Sequence, residues 1–447
     1  MRKKRQLWMA AMLGVVVLFV GSARGDDYLS AYDQERAKRS GMSPEAEKRI
    51  SNLETDVKEL KEAKEKPDDK NALLAYWDKG LVFKGKDVKI KFGGRVMWDL
   101  QWFSQHKDHK AEYGDLEDGT EFRRVRLYMS GDVYKDYFYK VQVDFAGGNV
   151  ALKDAYLGMK NVPVIGHIKA GHFKEPFGLE ELTSSKYITF IERSMPTEAF
   201  SPSRNAGIMI YNDALDKRLF WAVGLFRDVD GTGFRLADRG YAITARVAGT
   251  PWYAEKGKKL LHLGAAYSHR VEPDDAARYR ARPECHLSSK RFVDTSTISS
   301  VDSVDLLGLE AAVVLGPFSL QGEYITAMVD GNSPDYDFSG WYAQASYWLT
   351  GEHRKYKGGA FSRVSPKKNF GFGEGSGWGA WEVAARYSQL DLNDGTIDGG
   401  KESNWTFGLN WHLNPNMRVM FNYINADTSA PDHGSADIFG VRFQVDF

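Results

Sequence analysis

Arg278, Arg280 and Arg282 stand two residues apart, so an extended backbone would turn all three guanidinium groups to one side. A planar guanidinium grips two oxyanion oxygens at once, which makes such a row a track for phosphate-like anions. Thr183-Ser184-Ser185-Lys186 sets three hydroxyls beside an ammonium and offers the same kind of donor. Bond-breaking groups are not spaced for chemistry. The sequence has no HExxH, no GxSxG and no Walker loop, and its ten histidines are scattered, with His106 and His109 in an expected loop. Gly371 to Gly377 lacks the lysine and strand-to-helix setting of a phosphate loop, and Asp228, Asp230 and Gly231 read as a solvated turn. The chemistry on offer is recognition and passage of anions, with no cofactor and no metal site expected.

The elements that must position these cations are strands. At the C-terminus Phe439, Val441, Phe443, Val445 and Phe447 alternate with Gly440, Arg442, Gln444 and Asp446. From Val88 to Trp102 fifteen positions keep the same phase, with Lys89, Lys91 and Arg95 on the polar face. A recurring apolar face opposite a well-populated polar one is the pattern of strands with lipid outside and water inside. Further strands are expected near 121–134, 136–146, 151–160, 164–172, 206–212, 219–227, 240–249, 260–271, 304–316, 317–329, 339–350, 378–390, 402–413, 416–427 and 436–447. The fold class is therefore all-β, a 16-stranded antiparallel transmembrane β-barrel. The 13% aromatic content and 44 glycines suit girdles and kinked strands, and the negative mean hydropathy excludes a helical membrane protein. Zero net charge gives no ground for a nucleic-acid partner, and the single cysteine, Cys285, excludes an internal disulfide framework.

Ahead of the strands, a basic start, an apolar run from Leu7 to Val20 and Ala23-Arg24-Gly25 read as a signal peptide over 1–25. Residues 26–79 then form a periplasmic segment. Within it Ile50, Leu53, Val57 and Leu60 make a short a/d seam, so a coiled-coil helix is expected at about 44–66. The barrel occupies 80–447.

Short connections alternate mostly with long ones, and short turns belong on the periplasmic side. The long stretch from Gly351 to Gly377 falls on that side too, so either this turn is unusual or the strand count slips there. Facing the lumen by phase are Arg124 and Arg126, Lys140, Lys169, Arg246 and Arg386, together with the acids Asp144, Asp154, Glu310 and Glu323. Arg123 is out of phase and must lie at a rim or be turned inward by a bulge. Two long loops, 174–205 and 272–302, are placed to narrow the pore.

Several separated stretches resemble the phosphate-selective porin O and P family of outer-membrane channels, from about Lys89 to Phe447. They are Phe92-Gly93-Gly94-Arg95, Glu121-Phe122-Arg123-Arg124, the run from Gly171 to Glu180, Thr183 to Lys186, Tyr342-Ala343-Gln344, Leu349-Thr350-Gly351-Glu352 and Gly379-Ala380-Trp381-Glu382. The resemblance implies a homotrimer of sixteen-stranded barrels in the outer membrane with the third loop folded inward; lipid bilayer and lipopolysaccharide are the expected surroundings, and the 272–302 loop could equally be a solvated one touching lipopolysaccharide phosphates. It implies an anion site at Arg95, Arg123, Arg124, Ser184 and Ser185, with a lumen lysine at Lys169 and an acid nearby at Asp154. Three positions depart from the phosphate-specific pattern: Glu181 replaces a lysine, and Arg126 and Lys174 replace tyrosines. The expected function is passive passage of inorganic anions such as phosphate or polyphosphate. A general porin, or a barrel that tethers the envelope through its coiled coil, is the alternative; a barrel hydrolase would need a Ser/His/acid group that the strands do not supply.

Overall fold

The computed structural model describes residues 73–447 apart from 332–333 and 429–433, together with Thr55. The expected signal peptide and, Thr55 apart, the expected coiled-coil helix lie outside the described residues. Sixteen strands among the described residues form the barrel wall. They are β1 (Val88–Gln105), β2 (Gly119–Val133), β3 (Tyr137–Asp144), β4 (Ala151–Val162), β5 (Gly166–Lys174), β6 (Arg204–Ala214), β7 (Leu219–Arg227) and β8 (Tyr241–Ala254), then β9 (Lys259–Val271), β10 (Val301–Leu315), β11 (Phe318–Gly331), β12 (Tyr336–Trp348), β13 (Ala380–Asp394), β14 (Ile397–Asn414), β15 (Met417–Thr428) and β16 (Ser435–Asp446). Each runs antiparallel to the next, and β16 returns to β1 with Arg442 opposite Asp99 and Asp446 opposite Arg95. Closure leaves no free edge, which is what lets a sheet stand in lipid.

The alternation read from the sequence is kept in space. In β16, Phe439 and Phe443 are exposed outward while Arg442, Gln444 and Asp446 are buried inward. Trp98 stacks on Phe443 across the closing seam, with ring centroids 5.6 Å apart. The strand Leu81–Lys84 pairs with the start of β1, beside the C-terminus, where the Gly94 amide donates to the Phe447 carbonyl at 2.7 Å.

Two of the long loops fold inward and thicken one side of the wall. In the third loop, between β5 and β6, short helices span Leu179–Leu182 and Met195–Phe200. The loop's Phe177, Phe190, Ile191 and Met195 are buried against the wall. Glycines make room for them: a Cβ at Gly308 of β10 would lie 3.1 Å from the Phe177 ring, and one at Gly408 of β14 would lie 3.2 Å from Phe190. Polar anchors complete the docking. The Glu323 carboxylate of β11 accepts from the Leu179 and Glu180 amides, both at 2.7 Å, and so caps the first short helix. Arg418 donates to the Ile188 carbonyl at 2.8 Å and Asn410 to that of Thr189 at 2.8 Å. The fifth long loop, 272–300, dips in from above, with Glu284 accepting from Arg386 at 2.5 Å and from Ser388 at 2.6 Å.

The connection from 349 to 379 leaves from the same end as the short turns, so the strand count does not slip. It turns into the barrel instead of hanging below it. A small hairpin of Lys355–Lys357 and Ala360–Ser362 buries Phe361 against Leu179, and the Gly359 carbonyl accepts from Arg246 at 2.7 Å. At the opposite end, β13 and β14 run on to a tight turn at Gly395 and Thr396, where the sequence suggested a longer loop. Their ladder gains two pairs there, Asn393 with Asp398 and Asp394 with Ile397.

Candidate anion-binding site

With the third loop lying over the inner faces of β10 to β16, the lumen stays open on the side formed by β1 to β7. There a cavity of about 540 Å³ is bounded by those strands, by the third loop and by Gly358 and Ala360 of the inward 349–379 turn. Among the described residues ten cationic side chains line it: Arg95, Arg123, Arg124, Arg126, Lys140, Lys153, Lys169, Lys174, Arg193 and Arg204. Only two carboxylates, Asp154 and Glu181, line it with them. Cations thus outnumber carboxylates on this lining five to one.

Register explains how two of these cations arrive. β1 and β2 slip by one residue, pairing Met97 with Arg124 and Trp98 with Phe122, so Arg123 is the extra residue of a bulge. A second slip pairs Gln142 with Asp154 and Val143 with Leu152, leaving Lys153 as the extra residue of β4. A bulge re-aims a side chain that strict alternation would send to lipid. There a mid-membrane charge costs roughly 2–4 kcal/mol.

The pairing pattern divides the cations. Arg126 donates to Asp144 at 2.6 Å, and Arg123 holds both oxygens of Glu192 at 2.9 and 3.1 Å, with Arg124 3.5 Å from the same carboxylate. Asp154 bridges Arg204, at 2.8 Å, and Lys140. Glu181 is held between Lys174 at 2.7 Å and Arg193 at 3.1 Å. Burial pushes the Glu181 carboxyl up, but Arg193 and Lys174 outweigh it and hold the group below the usual carboxylate range. Arg95 donates to the Ser185 hydroxyl at 2.7 Å. The Lys169 ammonium sits 4.0 Å from the Phe173 ring centroid and 5.0 Å from that of Tyr156. Among the described residues Arg95, Lys153 and Lys169 have no carboxylate within ion-pair distance.

The residues singled out in the sequence divide as follows. Arg95, Arg123, Arg124, Arg126, Asp154, Lys169, Lys174, Ser184 and Ser185 line this one cavity. Lys186 lies just beyond Ser185, in a smaller cavity of about 30 Å³ with Arg354, Arg363 and Arg418. Arg278, Arg280 and Arg282 do not join the group. Arg278 is paired with Asp294 at 2.6 Å, Arg280 lies 3.9 Å from the same carboxylate, and Arg282 is 3.3 Å from Glu198. The short strands Arg280–Ala281 and Val293–Asp294 fold the loop on itself, which gives Arg278 and Arg280 a partner inside it, while Arg282 meets Glu198 of the third loop. Arg246 and Arg386 face inward as expected but serve as anchors, to Glu310 at 2.7 Å and to Glu284. Sequence reasoning missed Lys153, Arg193 and Arg204. For Lys153 the signal was a cation directly beside the inward Asp154; Arg193 and Arg204 sat in or at the edge of a loop, where phase says nothing.

Two expectations follow from this placement. Replacing Arg278, Arg280 and Arg282 together by alanine should change the anion-to-cation permeability ratio less than twofold, measured in a planar bilayer; a collapse of the ratio would put the filter in the fifth long loop. Burial, with Arg95 and Arg363 close by, lowers the Lys186 ammonium to about 8 although Asp446 opposes the shift. It is therefore charged below pH 8 and neutral above, so anion preference should fall between pH 7 and 9, and Lys186→Arg should shrink that fall. An unchanged profile in the variant would remove Lys186 from the pathway.

A closed barrel of sixteen strands, apolar outside and polar within, its lumen narrowed by inward loops, defines an outer-membrane channel protein of the porin class. Residues 90–447 match the family Phosphate-selective porin O and P, and the chain belongs to that family. It is 31% identical over 398 residues to an uncharacterized protein of Caulobacter vibrioides, covering 83% of this chain and 76% of that protein. It is 27% identical over 397 residues to Porin O of Pseudomonas aeruginosa, covering 80% of this chain and 87% of that porin. Among solved structures it is similar to the trimer form of OmpT of Vibrio cholerae, with a TM-score of 0.52 at 12% identity, covering 81% of this chain and 100% of that one. The anion-selective porin from Comamonas acidovorans has a TM-score of 0.50 at 13% identity, covering 81% of this chain and 100% of that one. At these identities the two solved barrels speak for the fold alone.

Proposed function

We propose that this chain is a passive, anion-preferring channel of the outer membrane that passes phosphate or polyphosphate. The observation that carries the reading is the cavity wall of ten cations against two carboxylates beside the third loop. Low-dielectric walls of one sign concentrate the opposite ion, and flux then runs down its gradient with no energy source. Conduction also needs release. Here Asp154, Glu181, Asp144 and Glu192 hold back the arginines and lysines they pair with, leaving Arg95, Lys153 and Lys169 as successive weak sites. The departures at Lys174 and Glu181 offset one another, since the two side chains pair. The 1–25 segment as a cleaved signal, assembly as a homotrimer and contact with lipopolysaccharide belong to the same reading, supported by the family and by the basic, apolar and small-residue order of the N-terminus.

Adding phosphate or pyrophosphate to a channel carrying chloride current tests it. Half-block at millimolar concentration or below supports an oxyanion filter. No block by either ion up to the chloride concentration itself would leave a general porin.

A further inference from the structure

We propose that the cavity takes an organic phosphate with a ring-shaped body, the phosphate on its arginine side and the ring on an aromatic wall opposite. The inference rests on the anion-channel reading and narrows its substrate. Five side chains of β4 to β7 make that wall: Tyr156, Phe173, Met209, Tyr211 and Phe220. The rings belong to one apolar cluster, with Tyr156 edge-on to Phe173 at 6.0 Å and Tyr211 against Phe220 at 6.5 Å. They point into the lumen, and their ring faces give a bare oxyanion nothing to bond.

Tyr156, Tyr211 and Phe220 remain partly exposed to the cavity, so they are not simply its core. The hydroxyls of Tyr156 and Tyr211 make no hydrogen bond to another described residue, which leaves two donors beside the ring surface. Lys169 extends into this wall, its ammonium 4.0, 5.0 and 5.6 Å from the ring centroids of Phe173, Tyr156 and Tyr211. A cation over π faces is held there electrostatically with no carboxylate to cancel its charge. The opposite wall carries Arg95, Arg124 and Ser185. At about 540 Å³ the cavity offers far more room than one phosphate ion needs. Apolar surface with a few placed polar groups is the usual make-up of a site for an organic ligand.

Half-blocking concentrations for chloride current, read in a planar bilayer with the full-length protein, test this with three probes: inorganic phosphate, phenyl phosphate and glucose 6-phosphate. At least one ring probe is expected to block at a tenfold or more lower concentration than inorganic phosphate. Tyr211→Ala should bring that ratio close to one, while Tyr211→Phe, which keeps the ring, should preserve it. Whether phenyl phosphate or glucose 6-phosphate gives the larger ratio tells an aryl from a sugar ester. Equal half-block by all three probes would overturn the inference and leave the anion channel standing. No block by any of them would overturn both, and a high ratio that survives Tyr211→Ala would refute the aromatic wall as its source.

Discussion

Arg442→Met should release the third loop and enlarge the pore. Arg442 is fully buried at the seam where β16 meets β1, gripping both oxygens of Asp99 at 2.6 Å, one oxygen of Glu192 at 2.7 Å and the Ile191 carbonyl. Removing it leaves Asp99 without its cation and takes from Glu192 one of its three arginines, with Arg123 and Arg124 remaining. Breaking a buried ion pair from one side costs about 3–5 kcal/mol. The sixteen-strand ladder is built from backbone bonds and should persist, so the cost falls on the loop docking. Single-channel conductance is expected to rise at least twofold, with the heat-modifiable gel transition moving to lower temperature. Unchanged conductance would mean that the glycine pockets at Gly308 and Gly408 hold the loop without the ion pairs.

Arg124→Ala should cut anion preference several-fold, and Arg418→Ala much less. Arg124 lines the wide cavity, and its partner Glu192 remains neutralised by Arg123 and Arg442. A unit charge about 6 Å from a passing anion is worth roughly 0.7–3 kcal/mol between the dielectric of water and that of a protein surface. In a wet pore the lower part of that range applies, about a fivefold change in permeability ratio. Arg418 sits near the periplasmic turn, as its place in β15 implies, yet its guanidinium is buried under the third loop and committed to carbonyls and Gln444. Its loss should lower stability more than selectivity. Equal losses of selectivity at both positions would count against a localised filter.

Much of this was legible in the amino-acid sequence because alternation is a strict rule in a lipid-facing sheet. All sixteen strands were readable, and the phase that put Arg124, Arg126, Lys140 and Lys169 on the lumen face holds in space. Phase alone did not place Lys153, since a one-residue slip inverts facing without altering composition; Arg123 announced its bulge only by being out of step. The arginine row at 278, 280 and 282 misled because spacing gives a common direction but not the partner. Asp294, only twelve residues beyond Arg282, meets two of the three through a local hairpin. The inward fold of 349–379 was equally hidden. Its glycines and lysines read as solvated, while its docking depends on Phe361, Arg354 and Gly359 meeting the third loop and wall residues far away in the chain.

Reversal potential across a planar bilayer under a potassium chloride gradient is the most direct test of the cationic wall. The ten lining cations predict a potential close to the chloride equilibrium value, with a preference for chloride over potassium of at least tenfold. A potential near zero, or one of the opposite sign, would mean that the buried carboxylates balance the wall, and would contradict an anion filter in this barrel.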